Sequence, residues 1–245
     1  VKDLIKLPII TEVDDWLFDV PSYNIGSNPF KANSDSEWMA FQQLKLSDYI
    51  VCSTQFIKDH LLEFFPDKEI YVIPNSIDFA CYDDLVENKE LYPKADGKIR
   101  IGFTGCTNHN GDLDLIRRPL KKILEEYPNV ELMTYFNFEA FKDLPNVINT
   151  GKWTPIDKFP QELKNWKMDI GLAPLRDNNF NRAKSNLRWL EYSALKVPTI
   201  ASKVYPFQKS IANHQTGMLC GSSELEWYEA LKDLITNEKK RRLIG

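Results

Sequence analysis

Short apolar runs alternate with amphipathic stretches along this 245-residue chain, and that alternation limits its architecture more than any other feature. Residues 7–14 (LPIITEVD), 48–53 (DYIVCS) and 70–73 (IYVI) read as buried strands. Between them, 34–47 reads as a helix capped by Ser34 or Ser36, and 54–65 as a second amphipathic helix. The polar stretch 79–97, with Pro93 and Gly97, reads as a linker. A second series follows, with strands at 98–103, 130–135, 147–149, 169–173, 198–201 and 217–220. Its helices are expected at 112–127, 156–166, 184–195, 207–213 and 223–235. Strands separated by helices pair in parallel, because the crossover must return to the same end of the sheet. The expected fold class is therefore α/β with two Rossmann-like lobes and parallel sheets. Residues 1–97 form a small or truncated N-terminal lobe with its linker, and 98–245 a doubly wound domain of about six strands. Three strands are few for an independent lobe, and the chain opens on Val1 rather than Met. Both agree with an upstream segment having been removed.

Hydrophobic residues make up 43% of the chain and charged residues 27%, enough for a core and a solvated surface. No apolar run approaches the ~18 residues of a membrane span, and no secretory leader is visible. The four cysteines form no C-x-x-C pair, which favours reduced thiols in a cytoplasmic protein over a disulfide framework or zinc site. Charge is uneven. Residues 1–97 hold 8 Lys/Arg against 18 Asp/Glu, a net −10, and 98–245 hold 23 against 17, a net +6. A basic second half suits an anionic ligand such as a nucleoside diphosphate, although chance variation between two solvated surfaces gives the same numbers. A nucleic-acid partner is not expected, since no dense Lys/Arg stripe with interleaved aromatics occurs.

The segment 181–202, NRAKSNLRWLEYSALKVPTIAS, follows one buried strand and precedes another. In open parallel sheets ligands bind at the carboxyl ends of strands, where helix N-termini point. Lys184, Ser185 and Asn186, with Leu187, are placed at such a terminus, where free amides and the helix dipole favour an anion. Glu191 comes seven residues after Lys184, about 700° around an ideal helix, so the two side chains share one face about 10 Å apart. The spacing fits Lys184 on a phosphate and Glu191 on a ribose. It fits equally a surface Lys and Glu of an ordinary amphipathic helix. Asp14 and Asp15 fall just past a strand end, where they orient a hydroxyl or cap the next turn. No third ligand accompanies them, so no metal site is expected. Asp112 reads as a helix N-cap or as a site residue beside His109. Arg182 reads as a second cation or a solvated loop arginine.

The stretch WLEYSALKVPTIAS resembles the signature region of retaining GT-B glycosyltransferases of the family 4 type. That family carries two glutamates seven residues apart. Glu191 matches the second, which implies ribose binding. The first falls on Ala183, and the adjacent Lys184 resembles the phosphate ligand that replaces it in a subgroup. IYVIPNSID (70–78) is similar to the segment where the family's chain leaves its first domain, and KIRIGFTGCTNHNGDLDLI (98–116) to the opening strand and loop of its donor domain. That second likeness implies Thr107 and His109 at the diphosphate. The family's frequent Arg and Lys after this strand are missing. GLAPLRDNNFNR (171–182) resembles the loop passing the base and pyrophosphate, which implies a role for Arg182. TEVDDWLFDVP (11–21) resembles an acidic motif of the subgroup, with Asp14 and Asp15 at the acceptor or donor hydroxyls.

The resemblance implies hexose transfer, with retention, from a nucleoside-diphosphate sugar to an acceptor hydroxyl on a glycan, lipid-linked or protein acceptor. Such chemistry belongs to cell-surface polysaccharide or glycoconjugate synthesis. The donor is a substrate, and no cofactor or metal is expected. A cytoplasmic location, with peripheral association at the inner membrane face, is compatible with this reading. The alternative is a non-catalytic sugar-nucleotide-binding module or partner subunit of a transferase. A sugar-nucleotide epimerase of the same fold is less well supported. A dinucleotide dehydrogenase is disfavoured, because Gly102-x-x-Gly105 lacks the third glycine of that fingerprint.

Overall fold

A computed structural model describes residues 7–24, 30–86, 96–151 and 154–245. In chain order the elements are β1 (Ile10–Val13), α1 (Asp35–Leu46), β2 (Tyr49–Cys52), α2 (Gln55–Phe64), β3 (Glu69–Val72), α3 (Ala80–Val86), β4 (Ile99–Phe103) and α4 (Asn110–Glu126). They continue with β5 (Val130–Thr134), β6 (Val147–Asn149), α5 (Phe159–Asn165), β7 (Ile170–Ala173), α6 (Asn179–Ala183), α7 (Leu187–Ala194), β8 (Thr199–Ser202), α8 (Tyr205–Ser210), β9 (Met218–Cys220), α9 (Glu224–Thr236) and α10 (Glu238–Ile244). Among the described residues no helix is long and apolar enough to cross a membrane.

The chain divides into two units, Val1–Asn75 with Asp177–Asn186, and Ser76–Arg176 with Leu187–Gly245. The boundary at Asn75/Ser76 lies upstream of the division at 97 drawn from sequence, and a ten-residue return segment joins the first unit. The first unit holds a three-stranded parallel sheet, β1-β2-β3, in the register Ile10↔Tyr49↔Glu69. Ser34 caps α1, its hydroxyl accepting from the Glu37 amide at 3.1 Å. Thr54 caps α2 through the Ile57 amide at 3.3 Å. Each cap satisfies an amide that the first helical turn leaves free. The core gathers Val13, Trp16, Leu44, Ile50, Ile57, Leu61 and Ile70, together with Ala183 from the return segment.

The second unit holds six parallel strands in the order β6-β5-β4-β7-β8-β9. The chain winds outward from β4 on one side and from β7 on the other, so the switch point lies between those two strands. That arrangement puts the carboxyl ends of β4 and β7 at the expected ligand position. The stretch read as a linker contains α3, whose Tyr82 is buried with Met133, Tyr135, Trp166 and Tyr192. A further helix, α10 at residues 238–244, follows the last helix expected from the sequence.

One close approach positions the ligand end of the sheet. Tyr192 on α7 is fully buried, and its hydroxyl accepts from the Thr104 amide at 3.2 Å and pairs with the Thr104 hydroxyl at 3.0 Å. The ring fits only because β7 carries Gly171, where a Cβ would lie 2.3 Å from the Tyr192 ring. Gly171→Ala is expected to destabilise by about 1–3 kcal/mol through overpacking. Urea denaturation reads this directly, and an unchanged midpoint would show that Tyr192 is free to shift.

Candidate functional site

The helix expected from Lys184 to Leu195 begins only at Leu187, and a separate short helix, α6, ends just before Lys184. Asn178 caps α6, its side chain accepting from the Asn181 amide at 2.9 Å. The backbone extends at Lys184 (φ −61°, ψ 156°), and α7 begins at Leu187. Lys184 therefore does not share a helical face with Glu191, and the spacing argument for that pair fails. The two residues also belong to different units.

In the first unit, Lys184 Nζ lies 3.2 Å from Asp15 Oδ1 and 4.3 Å from the centre of the Phe180 ring. Asn75 Nδ2 donates to Asp14 Oδ1 at 2.7 Å and to the Ser185 hydroxyl at 3.2 Å. Asp14, Asp15, Lys184 and Ser185 thus form one polar cluster just beyond β1. Thr54 helps hold it, its hydroxyl donating to the Ala183 carbonyl at 3.0 Å. Arg182 stands apart from the cluster. Its guanidinium grips Asp177 through two bonds, Nε to Oδ1 at 2.6 Å and Nη2 to Oδ2 at 3.0 Å, and holds that carboxyl below its usual range. Asn186 follows Ser185 and leads into α7.

In the second unit, Glu191 lies on α7 and lines a cavity of about 340 Å³ with Thr104, Cys106, Tyr135, Phe136, Thr154, Ile156 and Phe159. Three aromatic rings and an isoleucine make its wall apolar, with hydroxyls and one carboxylate set into it. Burial pushes the Glu191 carboxyl up to about 7, against the opposing pull of Arg188. The rise has a direct physical cause, since an ionised carboxylate loses hydration that apolar walls do not replace.

Next to β4, Thr107–His109 forms a single tight turn that runs into the 17-residue helix α4. Asp112 is not a cap. It is the third residue of α4, 1% exposed, and its Oδ1 accepts from the Arg176 amide at 2.9 Å. Its Oδ2 lies 3.0 Å from His109 Nδ1, and His109 Nε2 lies 3.3 Å from Arg188 Nη2. A guanidinium only donates, so His109 Nε2 accepts and its Nδ1 proton goes to Asp112. The Arg188 guanidinium also covers the Phe103 ring at 4.9 Å. Sequence reasoning missed Arg188, although it sits three residues before Glu191, the spacing that puts two side chains on one helical face. It also missed Tyr135, which reads as the last residue of a strand, and Phe136, which follows it.

No protein-family model and no curated protein sequence matches the chain. Solved structures do match it. A mutant TarM from S. aureus, solved with Fondaparinux, alpha-GlcNAc-glycerol and UDP, superposes with a TM-score of 0.69 at 14% identity, over 96% of this chain and 45% of that one. Sucrose-phosphate synthase from Thermosynechococcus elongatus gives 0.67 at 13% identity, over 96% of this chain and 60% of that one. A UDP-forming trehalose-phosphate synthase from Burkholderia xenovorans gives 0.64 at 14%, over 98% and 63%. The chain thus spans between 45% and 63% of the length of these three structures. At such identities the likeness speaks for architecture, and the architecture is the α/β fold of GT-B glycosyltransferases.

Proposed function

We propose that this chain is a glycosyltransferase that moves a hexose from a nucleoside-diphosphate sugar to an acceptor hydroxyl with retention, in cell-surface glycan or glycoconjugate synthesis. The observation that carries this reading is the site on the second unit. There an apolar aromatic pocket, the Glu191 carboxyl and a cationic helix terminus adjoin. The pocket takes the base. Glu191 accepts from the ribose hydroxyls. Arg188, His109, Thr107 and the amides opening α4 meet the diphosphate, where preorganised positive potential stabilises the departing charge. Arg188 supplies the cation that the missing Arg and Lys of the family would have given. The Asp14–Asp15–Lys184 cluster is assigned to the sugar-transfer step, as the resemblance implies. Attack from the face of the leaving phosphate accounts for retention. The reaction as proposed uses the donor as substrate, with neither metal nor resident cofactor, at the cytoplasmic face of a membrane. S. aureus TarM, solved with UDP, supports the choice of a nucleotide ligand.

A thermal-shift screen of UDP-, GDP-, ADP- and CDP-sugars tests the proposal. One donor class at a hundred times its Kd is expected to raise the melting temperature by about 5–10 °C. If none of the four raises it, the donor-site assignment is wrong.

One observation favours a non-catalytic binding module. Ala183, where the family's first glutamate would fall, is fully buried in the first unit's core, so that position offers no carboxylate. Donor hydrolysis or transfer by the purified chain separates the two readings.

A further inference from the structure

Tyr135 sits immediately after β5 with its ring clamped, 4.5 Å between centroids from Trp166 and 6.2 Å from Phe159. It is 5% exposed, and its hydroxyl is buried with no partner in hydrogen-bond geometry among the described residues. Thr154 lines the same cavity beside the Tyr135 phenol, its hydroxyl outside hydrogen-bond geometry with Tyr135 Oη. Of the residues lining the cavity, Tyr135 is the one with an orphaned buried polar atom. A buried hydroxyl left unpaired forfeits a bond it would make in water. A ligand that fills the cavity and presents a donor or acceptor there restores that bond.

We propose that Tyr135 Oη, with Thr154 Oγ1, reads the hydrogen-bonding edge of the donor's nucleobase and sets which base the protein accepts. This inference rests on the nucleotide reading of the cavity. A base is flat and apolar on its faces and carries donors and acceptors only in its plane. Phe136, Phe159 and Ile156, which is 90% exposed at the cavity mouth, meet the faces. The two hydroxyls meet the edge, and each can donate or accept. Glu191 and Arg188 meet the ribose and diphosphate, which are common to all donors, so they cannot discriminate between bases. A site built to hydrogen-bond one ligand rejects a ligand without the matching group far more strongly than an apolar wall does.

Tyr135→Phe keeps the ring and removes the hydroxyl. The unliganded variant is expected to melt no lower than the parent protein, because it loses only an unpaired polar group. It is expected to bind the preferred nucleoside diphosphate about tenfold more weakly and to narrow the spread of affinities among UDP, GDP, ADP and CDP. Thr154→Val should weaken the same nucleotide. Calorimetry with the four nucleotides and melting without ligand read these outcomes. If Tyr135→Phe keeps both the affinity and the ranking of the parent protein, the reader role is overturned and nucleotide binding stands. If the parent protein binds none of the four, the nucleotide reading falls and takes this inference with it.

Discussion

Glu191→Gln is expected to stabilise the unliganded protein above neutral pH and to weaken nucleotide binding. The carboxyl titrates at about 7 in the folded chain against an ordinary value of 4.5, because it is buried. Between those values the folded state binds more protons than the unfolded state, so stability falls as pH rises through the window. The full cost, at most about 3 kcal/mol, stands above about pH 7. Glutamine carries no charge to desolvate, so the variant should melt higher than the parent protein at pH 8 and alike at pH 4. Ribose hydroxyls donate to an ionised carboxylate, and losing such charge-assisted bonds should lower nucleoside diphosphate affinity by about tenfold to a hundredfold. In the parent protein, binding must release the carboxyl proton below pH 7. Affinity should therefore climb with pH and level off near 7, whereas the glutamine variant gives a flat profile. A variant that melts lower at pH 8 would make Glu191 a structural residue.

Arg188→Ala is expected to cost nucleoside diphosphates about tenfold to a hundredfold in affinity while costing an unphosphorylated nucleoside far less, measured at pH 8 or above, where Glu191 is ionised. The guanidinium is held between the Phe103 ring and His109 Nε2, so it is oriented before any ligand arrives. Raising the salt should weaken diphosphate binding to the parent protein more than to the variant. Arg188→Lys keeps the charge but loses the planar fork and should recover only part of the affinity. Equal losses for the nucleoside and its diphosphate would place Arg188 away from the phosphates.

The six-stranded sheet was legible because its strands are short apolar runs such as IGLA and TIAS, bounded by turns or amphipathic helices. Glu191 stood out in sequence through its surroundings in the motif, and the structure sets it on the wall of the aromatic cavity. The break at Lys184 was not, because helical periodicity continues through Lys-Ser-Asn while the backbone extends there. Its signal was Asn178, an N-cap residue ahead of a five-residue helix that periodicity is too coarse to resolve. The helix α3 hid in a polar stretch, where Tyr82 is buried and Leu85 packs against the same core. Tyr135 was hidden for a different reason. At the end of a strand its ring reads as core, and nothing in sequence distinguishes a satisfied hydroxyl from an orphaned one.

The ten-residue return of the chain into the first unit bears on the order of events during synthesis. Ala183 belongs to that unit's core, and Thr54 near the start of α2 bonds to its carbonyl. Domains fold as they leave the ribosome, N-terminal part first. Here the first unit cannot close its core until residue 183 has emerged, by which time β4 to β7 of the second unit are already available to pair. Residues 1–75 are therefore completed only after much of the second unit has been made, and a nascent chain stopped before residue 177 would hold α2 and β2 without the segment that seals them.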